Sequence, residues 1–241
     1  MTHQVQTSAE SMSDSGSRRP LVIAIDGPSG SGKSSTSRGV ADKLGLAFLD
    51  TGAMYRAVTW LALHEGVDLD DRAAIAELSA RASVEVDTDP RKPAISINGV
   101  DVSEAIRAPE VSAAVSAIAT NLEVRADLVA RQKKLIADAA EGIVAEGRDI
   151  TTVVAPDADV RVLLVADPAE RIARRHAELA EHQIDVDDVH DQVIRRDRDD
   201  SSVAEFESAA PGVHVVDSTS LSLEKVIETI CAFVPIRALG D

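Results

Sequence analysis

Short apolar runs recur along the chain, and most are followed by a stretch with helical periodicity. The first covers 21–25, and a helix is expected over about 33–44. A second run at 47–49 leads through Asp50-Thr51-Gly52 into a helix reaching about His64, apolar at Met54, Val58, Leu61 and Ala62. Further runs at 143–145, 160–165 and 213–216 have buried-strand character, with helices expected over 168–181 and 222–233. Strands apolar on both faces belong inside a parallel sheet, whose crossovers require helices. The rhythm therefore predicts an α/β fold with three layers, α/β/α, around a mostly parallel central sheet. Any ligand is expected at the carboxyl ends of the strands.

Two stretches depart from this rhythm. Residues 67–106 are acidic, and 83–86 and 94–97 alternate like the arms of an antiparallel pair. Asn98-Gly99 supplies a turn and 87–93 a loop, so a small inserted subdomain with strands and a helix is expected. Residues 181–207 are dense in Asp, His and Arg. They read either as a solvated helix pair or as a helical lid that brings arginines over bound phosphates. The expected organisation is a polar, disordered tail at 1–19, a core at 20–66 and 107–241, the insert at 67–106, and the lid at 181–207 within the core.

Composition narrows the class. The 241 residues are 44% hydrophobic and 27% charged, a globular balance, and the apolar runs are all too short to span a bilayer. Cys231 stands alone, which leaves no disulfide framework and suits a reducing, cytoplasmic setting. No long exposed apolar stripe demands a partner, so a monomer is expected. The formal charge of −16 argues against a nucleic-acid polymer as partner, but a nucleotide needs only local positive charge. Arg56, Arg107, Arg125, Arg148, Arg195, Arg196 and Arg198 fall in or beside turns and motifs, and as a set they are candidate anion contacts.

The chemistry begins with Gly27-Pro28-Ser29-Gly30-Ser31-Gly32-Lys33-Ser34, which fits G-x-x-x-x-G-K-S/T between a predicted strand and a predicted helix. Such a loop curls so that several main-chain N–H groups converge on one anion, reinforced by the helix dipole. Lys33 is expected on the β- and γ-phosphates of ATP, the Ser34 hydroxyl on Mg²⁺, and Ser35 at the loop's end. A guanine switch needs N/T-K-x-D, and no Lys here has an Asp two places on. Acidic strand ends at Glu146 and Asp167 resemble a motor ATPase only weakly, because such residues also cap helices.

Other segments narrow the choice. Asp50-Thr51-Gly52-Ala53-Met54-Tyr55-Arg56 resembles the D-S/T-G-x-x-Y-R segment of bacterial cytidylate kinases. Gly99-Val100-Asp101-Val102-Ser103 with Ile106-Arg107, Glu110-Val111-Ser112, Val115-Ser116 through Val124-Arg125, and Glu146-Gly147-Arg148-Asp149 continue the resemblance in order. Arg196-Asp197, Asp200-Ser201 and Val216-Asp217-Ser218-Thr219 complete it over about 20–234. It implies a P-loop NTPase-type fold, an NMP-binding insert, and transfer of phosphate from ATP to CMP and dCMP with Mg²⁺.

By that resemblance Arg56, Arg148 and Arg196 hold the CMP phosphate, Arg198 acts across the transferring group, and Asp200 takes a ribose hydroxyl. Asp149 matches the contact to the cytosine amine, with Ser116 and Arg125 donating to the ring. Thr51, Tyr55 and Arg107 join the acceptor site. The chemistry agrees: a monophosphate is mostly a dianion at neutral pH, so catalysis reduces to alignment and charge neutralisation, with Lys33, Arg148, Arg196 and Arg198 as the cations. A carboxylate accepts from the cytosine amine and repels the uracil carbonyl. Two alternatives stay open on the residues: a UMP or shikimate-type kinase, and a nucleotide sensor without turnover.

One segment departs from the family pattern. Val203 stands where a lid arginine is expected, and the Pro-Leu pair beyond it is absent. Either Arg198 or Arg195 substitutes, or the lid closes with less charge. A donor aimed at the transition state is worth about two to three decades in rate. Arg198→Ala is therefore expected to lower kcat and Val203→Arg to raise it; if steady-state assays show both to be silent, this account of the lid is wrong.

Overall fold

A computed structural model describes residues 19–178, 195, 197–204, 206 and 208–235. Residues 1–18 of the expected tail, most of the stretch 181–207, and Arg196 lie outside the described residues. In chain order the elements are β1 (Val22–Asp26), α1 (Lys33–Leu44), β2 (Ala47–Asp50), α2 (Thr51–Glu65), α3 (Arg72–Arg81), β3 (Val84–Asp87), β4 (Ala94–Ile97) and β5 (Val100–Asp101). A 3-10 turn at Ala105–Arg107 precedes α4 (Pro109–Ala119) and α5 (Leu122–Asp138). Then come β6 (Ile143–Gly147), a π-helical turn Ile150–Val154, β7 (Val160–Val165), α6 (Pro168–Glu178), β8 (His214–Asp217) and α7 (Leu223–Cys231).

The main sheet is parallel throughout, in the order β2-β6-β1-β7-β8. Its two faces build two cores because alternate residues point to opposite sides. Along β1, Ile23 and Ile25 join Val40 and Ala41 of α1 and Val226 and Ile230 of α7. Ala24, between them, faces the other way and packs with α2, α4 and α5 through Val58, Ile118 and Leu128. β6 repeats the device: Val144 belongs to the first core, Ile143 and Ala145 to the second. This is the three-layer α/β/α arrangement that the apolar runs predict.

The expected antiparallel pair is also present. β3, β4 and β5 form a separate antiparallel sheet, with Val84 opposite Ile97 and Val86 opposite Ile95. Asn98 and Gly99, both at positive φ, turn the chain between β4 and β5. The small sheet has no core of its own. Ile95, Ile97 and Val102 sit in the same apolar cluster as Ala24 and Ile143 of the main sheet.

Hydrophobic patterning assigns no element to most of 109–138, where the structure has two helices. Pro109 starts α4, where its fixed φ suits a first turn, and Asn121 caps α5 by accepting from the Glu123 and Val124 N–H groups. β1 lies between β6 and β7, so the loop leaving β1 emerges at the centre of the sheet's carboxyl edge. Because the small sheet shares the main core, Ile97→Ala should lower a single urea transition by about 2–5 kcal/mol. Val100→Ala, on the half-exposed β5, should stay within about 0.5 kcal/mol by the same measurement.

Candidate active site

The phosphate loop is shaped by close packing. A Cβ on Gly27 would lie 2.1 Å from the Leu164 carbonyl oxygen on β7, so only glycine passes. Gly30 has φ 74° and lies against α6, where a Cβ would come 2.4 Å from the Arg171 carbonyl oxygen. Lys33 donates to the Pro28 carbonyl at 2.8 Å across the loop. Ser29, Gly30, Gly32, Lys33, Ser34 and Ser35 line the main cleft. Gly27, Pro28 and Ser31 are not among its lining residues; Ser31 is fully buried, and all three shape the loop from behind.

The end of β6 forms the facing wall. Asp26, the last residue of β1, is buried and accepts from the Ile150 N–H at 2.8 Å, the Thr151 N–H at 2.8 Å and the Thr151 hydroxyl at 2.7 Å. Those bonds fix the turn that carries Arg148 and Asp149. Ser34 Oγ donates to the Glu146 carboxylate at 2.5 Å, and Thr51 Oγ1 donates to the Glu146 carbonyl at 2.8 Å. Arg148 donates to the Gly27 carbonyl at 2.8 Å and to Asp200 at 3.0 Å, with its guanidinium 4.6 Å from the Phe206 ring centre.

The expected acceptor residues largely meet in this cleft: Thr51, Tyr55, Arg56, Arg125, Arg148, Asp149 and Asp200 all line it. Arg125 is bonded to Asp149 and lies 6.0 Å from the Tyr55 ring centre. Arg56 bonds Asp50 at 2.8 Å, and Asp50 also caps α2 through the Ala53 N–H at 2.9 Å. Ser116 lies on α4 between Val115 and Ala119, which line the cleft while Ser116 does not. Arg107 is exposed and outside the lining, though its charge helps hold the Asp50 carboxyl down. The Arg198 side chain is 76% exposed and faces Asp199 at 3.5 Å, while Ala204 lines the cleft beside Asp200. No residue of 57–114 is among the lining; the small sheet packs against α2, whose Tyr55 and Arg56 line the cleft.

A family model for cytidylate kinase matches residues 23–235. The chain belongs to the cytidylate kinase family. It is 56% identical over 222 residues to a cytidylate kinase of Cutibacterium acnes, covering 91% of this chain and 98% of that protein. It is 44% identical over 216 residues to one of Streptomyces avermitilis, covering 89% and 92%. An uncharacterised protein from Eubacterium ventriosum shares the fold, with a TM-score of 0.51 at 9% identity over 89% of this chain and 98% of that one.

Several charged groups of this cytidylate kinase-family cleft carry no role in the motif reading. Arg175 of α6 lines it, Glu146 meets the loop serine, and Asp197 joins Arg148 at 3.1 Å. Glu146 is visible in sequence as an acidic strand end and Asp197 as part of the Arg196-Asp197 motif segment; Arg175 carries no such signal, because it lies in a charge-rich stretch. Burial acts on these groups. It lifts the Asp149 carboxyl, with Arg125 opposing. It also pushes the Tyr55 phenol up to about 12, keeping it neutral. For Asp50, burial is outweighed by Arg56 and the Ala53 N–H, and the carboxyl is held low.

Glu146 shifts most usefully for experiment. Burial first, then the Asp50 charge, raise it from 4.5 to about 7, against the pull of Lys33 and Ser34. Between those values the folded protein keeps a proton that the unfolded chain has lost, so this group's contribution to stability falls as pH rises through the window. Glu146→Gln removes the ionisation. Urea midpoints of the nucleotide-free proteins should therefore move in the variant's favour between pH 5 and pH 8; a constant difference would contradict the shift.

Proposed function

We propose that this chain phosphorylates CMP and dCMP with ATP, giving CDP or dCDP and ADP. The observation that carries the reading is one cleft lined both by the phosphate loop and by the Arg125–Asp149 pair. The loop receives the donor triphosphate, with the N–H groups of 30–35 and Lys33 around its β- and γ-phosphates. Arg56, Arg148 and Arg196 take the acceptor phosphate. Asp149 accepts from the cytosine amine, Arg125 and Ser116 donate to the ring, Tyr55 and Thr51 complete the pocket, and Asp200 takes a ribose hydroxyl. Residues 67–106 serve the acceptor side by backing α2, and 181–207 serve as the lid, bringing Arg198 near the transfer. Arg107 acts through its charge on Asp50.

No general base is required. The acceptor phosphate, with a second pKa of about 6, already carries its attacking oxygen unprotonated at neutral pH. What the chain supplies is alignment and positive charge. Arg56, Arg125 and Arg148 are already paired with carboxylates in the cleft, so a bound nucleotide exchanges one anionic partner for another. That exchange avoids stripping water from a bare guanidinium, and it keeps the donors oriented before substrate arrives.

The Ser34 hydroxyl and Glu146 carboxylate, 2.5 Å apart beside the loop, are hard oxygen donors of the kind Mg²⁺ takes, together with water and phosphate oxygens. Mg²⁺ held there would neutralise charge on the donor phosphates. The test is an ADP-release assay over CMP, dCMP, UMP and AMP. CMP and dCMP should be turned over, with UMP at least ~10-fold poorer in kcat/KM. Asp149→Asn should reduce CMP turnover and narrow the gap to UMP, since an amide can face either base. Preference of the unmodified chain for UMP would refute the cytosine assignment.

A further inference from the structure

Ser29, near the tip of the phosphate loop, gives both main-chain polar groups to one ion pair. Its N–H donates to Asp197 Oδ1 at 3.0 Å, and its carbonyl accepts from Arg171 Nη1 at 2.9 Å. Asp197 and Arg171 are bonded to each other, with side chains only 12% and 10% exposed. A second guanidinium closes the arrangement: Arg148 lies 3.1 Å from Asp197 and donates to the Gly27 carbonyl at 2.8 Å. Three side chains from α6, the end of β6 and the helical turn 197–201 thus grip three consecutive peptides of one loop.

Neither Asp197 nor Arg171 lines the main cleft. Both line a separate hollow with Pro28, Val165 and Phe206. They touch the loop and do not line the main cleft, so contact with a nucleotide in that cleft does not explain them. A cost does: a charged pair this buried is tolerated only where other bonds offset its desolvation. Here Asp197 takes the Ser29 N–H and meets Arg148, and Arg171 Nη1 bonds the Ser29 carbonyl, while Arg171 Nε has no partner among the described residues. An empty phosphate loop also aims parallel N–H dipoles at one point, which favours relaxation of the loop until an anion arrives.

We propose that Asp197 and Arg171 are a positioning pair that fixes the phosphate loop in its anion-binding shape through Ser29 and fastens the lid turn to it. The proposal rests on the kinase reading above for its kinetic consequence, but its binding consequence is separate. One helical turn beyond Asp197, Asp200 bonds Arg148 at 3.0 Å, so the acceptor-side carboxylate and the donor loop share one frame. Ordering the loop in advance lowers the cost of binding the triphosphate and places its terminal phosphate for transfer.

The test uses the full chain with Asp197→Asn, Arg171→Gln and the double variant. Calorimetry with a non-hydrolysable ATP analogue and Mg²⁺ gives donor affinity, steady-state assays give KM and kcat, and thermal unfolding reports folding. Each single change should weaken the analogue and raise KM for ATP about 10-fold, with kcat lower by about 10- to 100-fold. KM for CMP should stay within about threefold in Arg171→Gln, which has no contact with Arg148, and the double variant should be no worse than the poorer single in donor affinity by more than about twofold, because the pair acts as a unit. A lower melting temperature with donor affinity unchanged would mean an ordinary structural ion pair and overturn the proposal, as would effects that multiply in the double variant. If Asp197→Asn does not fold, Arg171→Lys, which keeps the charge and loses the fork to Ser29, carries the same readouts. Absence of CMP turnover by the unmodified chain would refute the kinase reading alone, since analogue affinity still judges the pair.

Discussion

The site depends on one buried carboxylate. Asp26 ends β1, and the phosphate loop starts at the next residue. Its oxygens hold the Ile150 and Thr151 N–H groups and the Thr151 hydroxyl, directly after Asp149. Burial lifts this carboxyl, so the donors around it are needed to make the position tolerable at all. The donor loop and the turn bearing Arg148 and Asp149 are thereby set against each other. Parallel pairing of β1 with β6, which places Asp26 beside Gly147, supplies the remaining constraint.

Around that joint the chain solves an electrostatic problem. A protein of net charge −16 must gather positive charge for two phosphorylated ligands. Arg56, Arg125, Arg148, Arg175 and Lys33 line a single cleft, but Asp50, Glu146, Asp149 and Asp200 stand among them. The carboxylates keep the guanidinium groups oriented and partly neutralised while the cleft has no anion. Glu146 bears the cost of that crowding, next to Asp50 and deep in the sheet, and its raised carboxyl is the sign of it.

Much of this was legible along the chain, for identifiable reasons. Strand positions followed from runs apolar on both faces, and the phosphate loop from glycine spacing between a strand and a helix. The resemblance at 50–56 and 146–149 pointed to the acceptor, and Thr51, Tyr55, Arg56, Arg148 and Asp149 do meet in the cleft. α4 and α5 were not legible by periodicity. α4 is built of small and apolar residues on most of its circumference, so its buried Val111, Val115 and Ile118 do not stand out. Ser116 and Arg107 lie outside the lining of the cleft, and a motif gives a residue's neighbourhood and not the direction of its side chain.

The sequence by itself determined what is local: the loop's curl, the helix that starts at Lys33, the Asn98-Gly99 turn and the family to which the chain belongs. The first three are encoded within a few adjacent residues, where backbone freedom and capping act over one or two turns, and the family is read from several such segments in order. Only the tertiary structure decided which charges pair. Ser29 meets Asp197 across 168 residues, and Arg148 meets Asp200 across 52. In sequence Arg171 is indistinguishable from a solvated charge, and Asp197 stands in a motif segment that names no partner for it, because an ion pair leaves no periodic mark. They acquire a role when β1, β6 and β7 align in one sheet and α6 packs behind the loop, which brings distant charges within bonding distance and out of water.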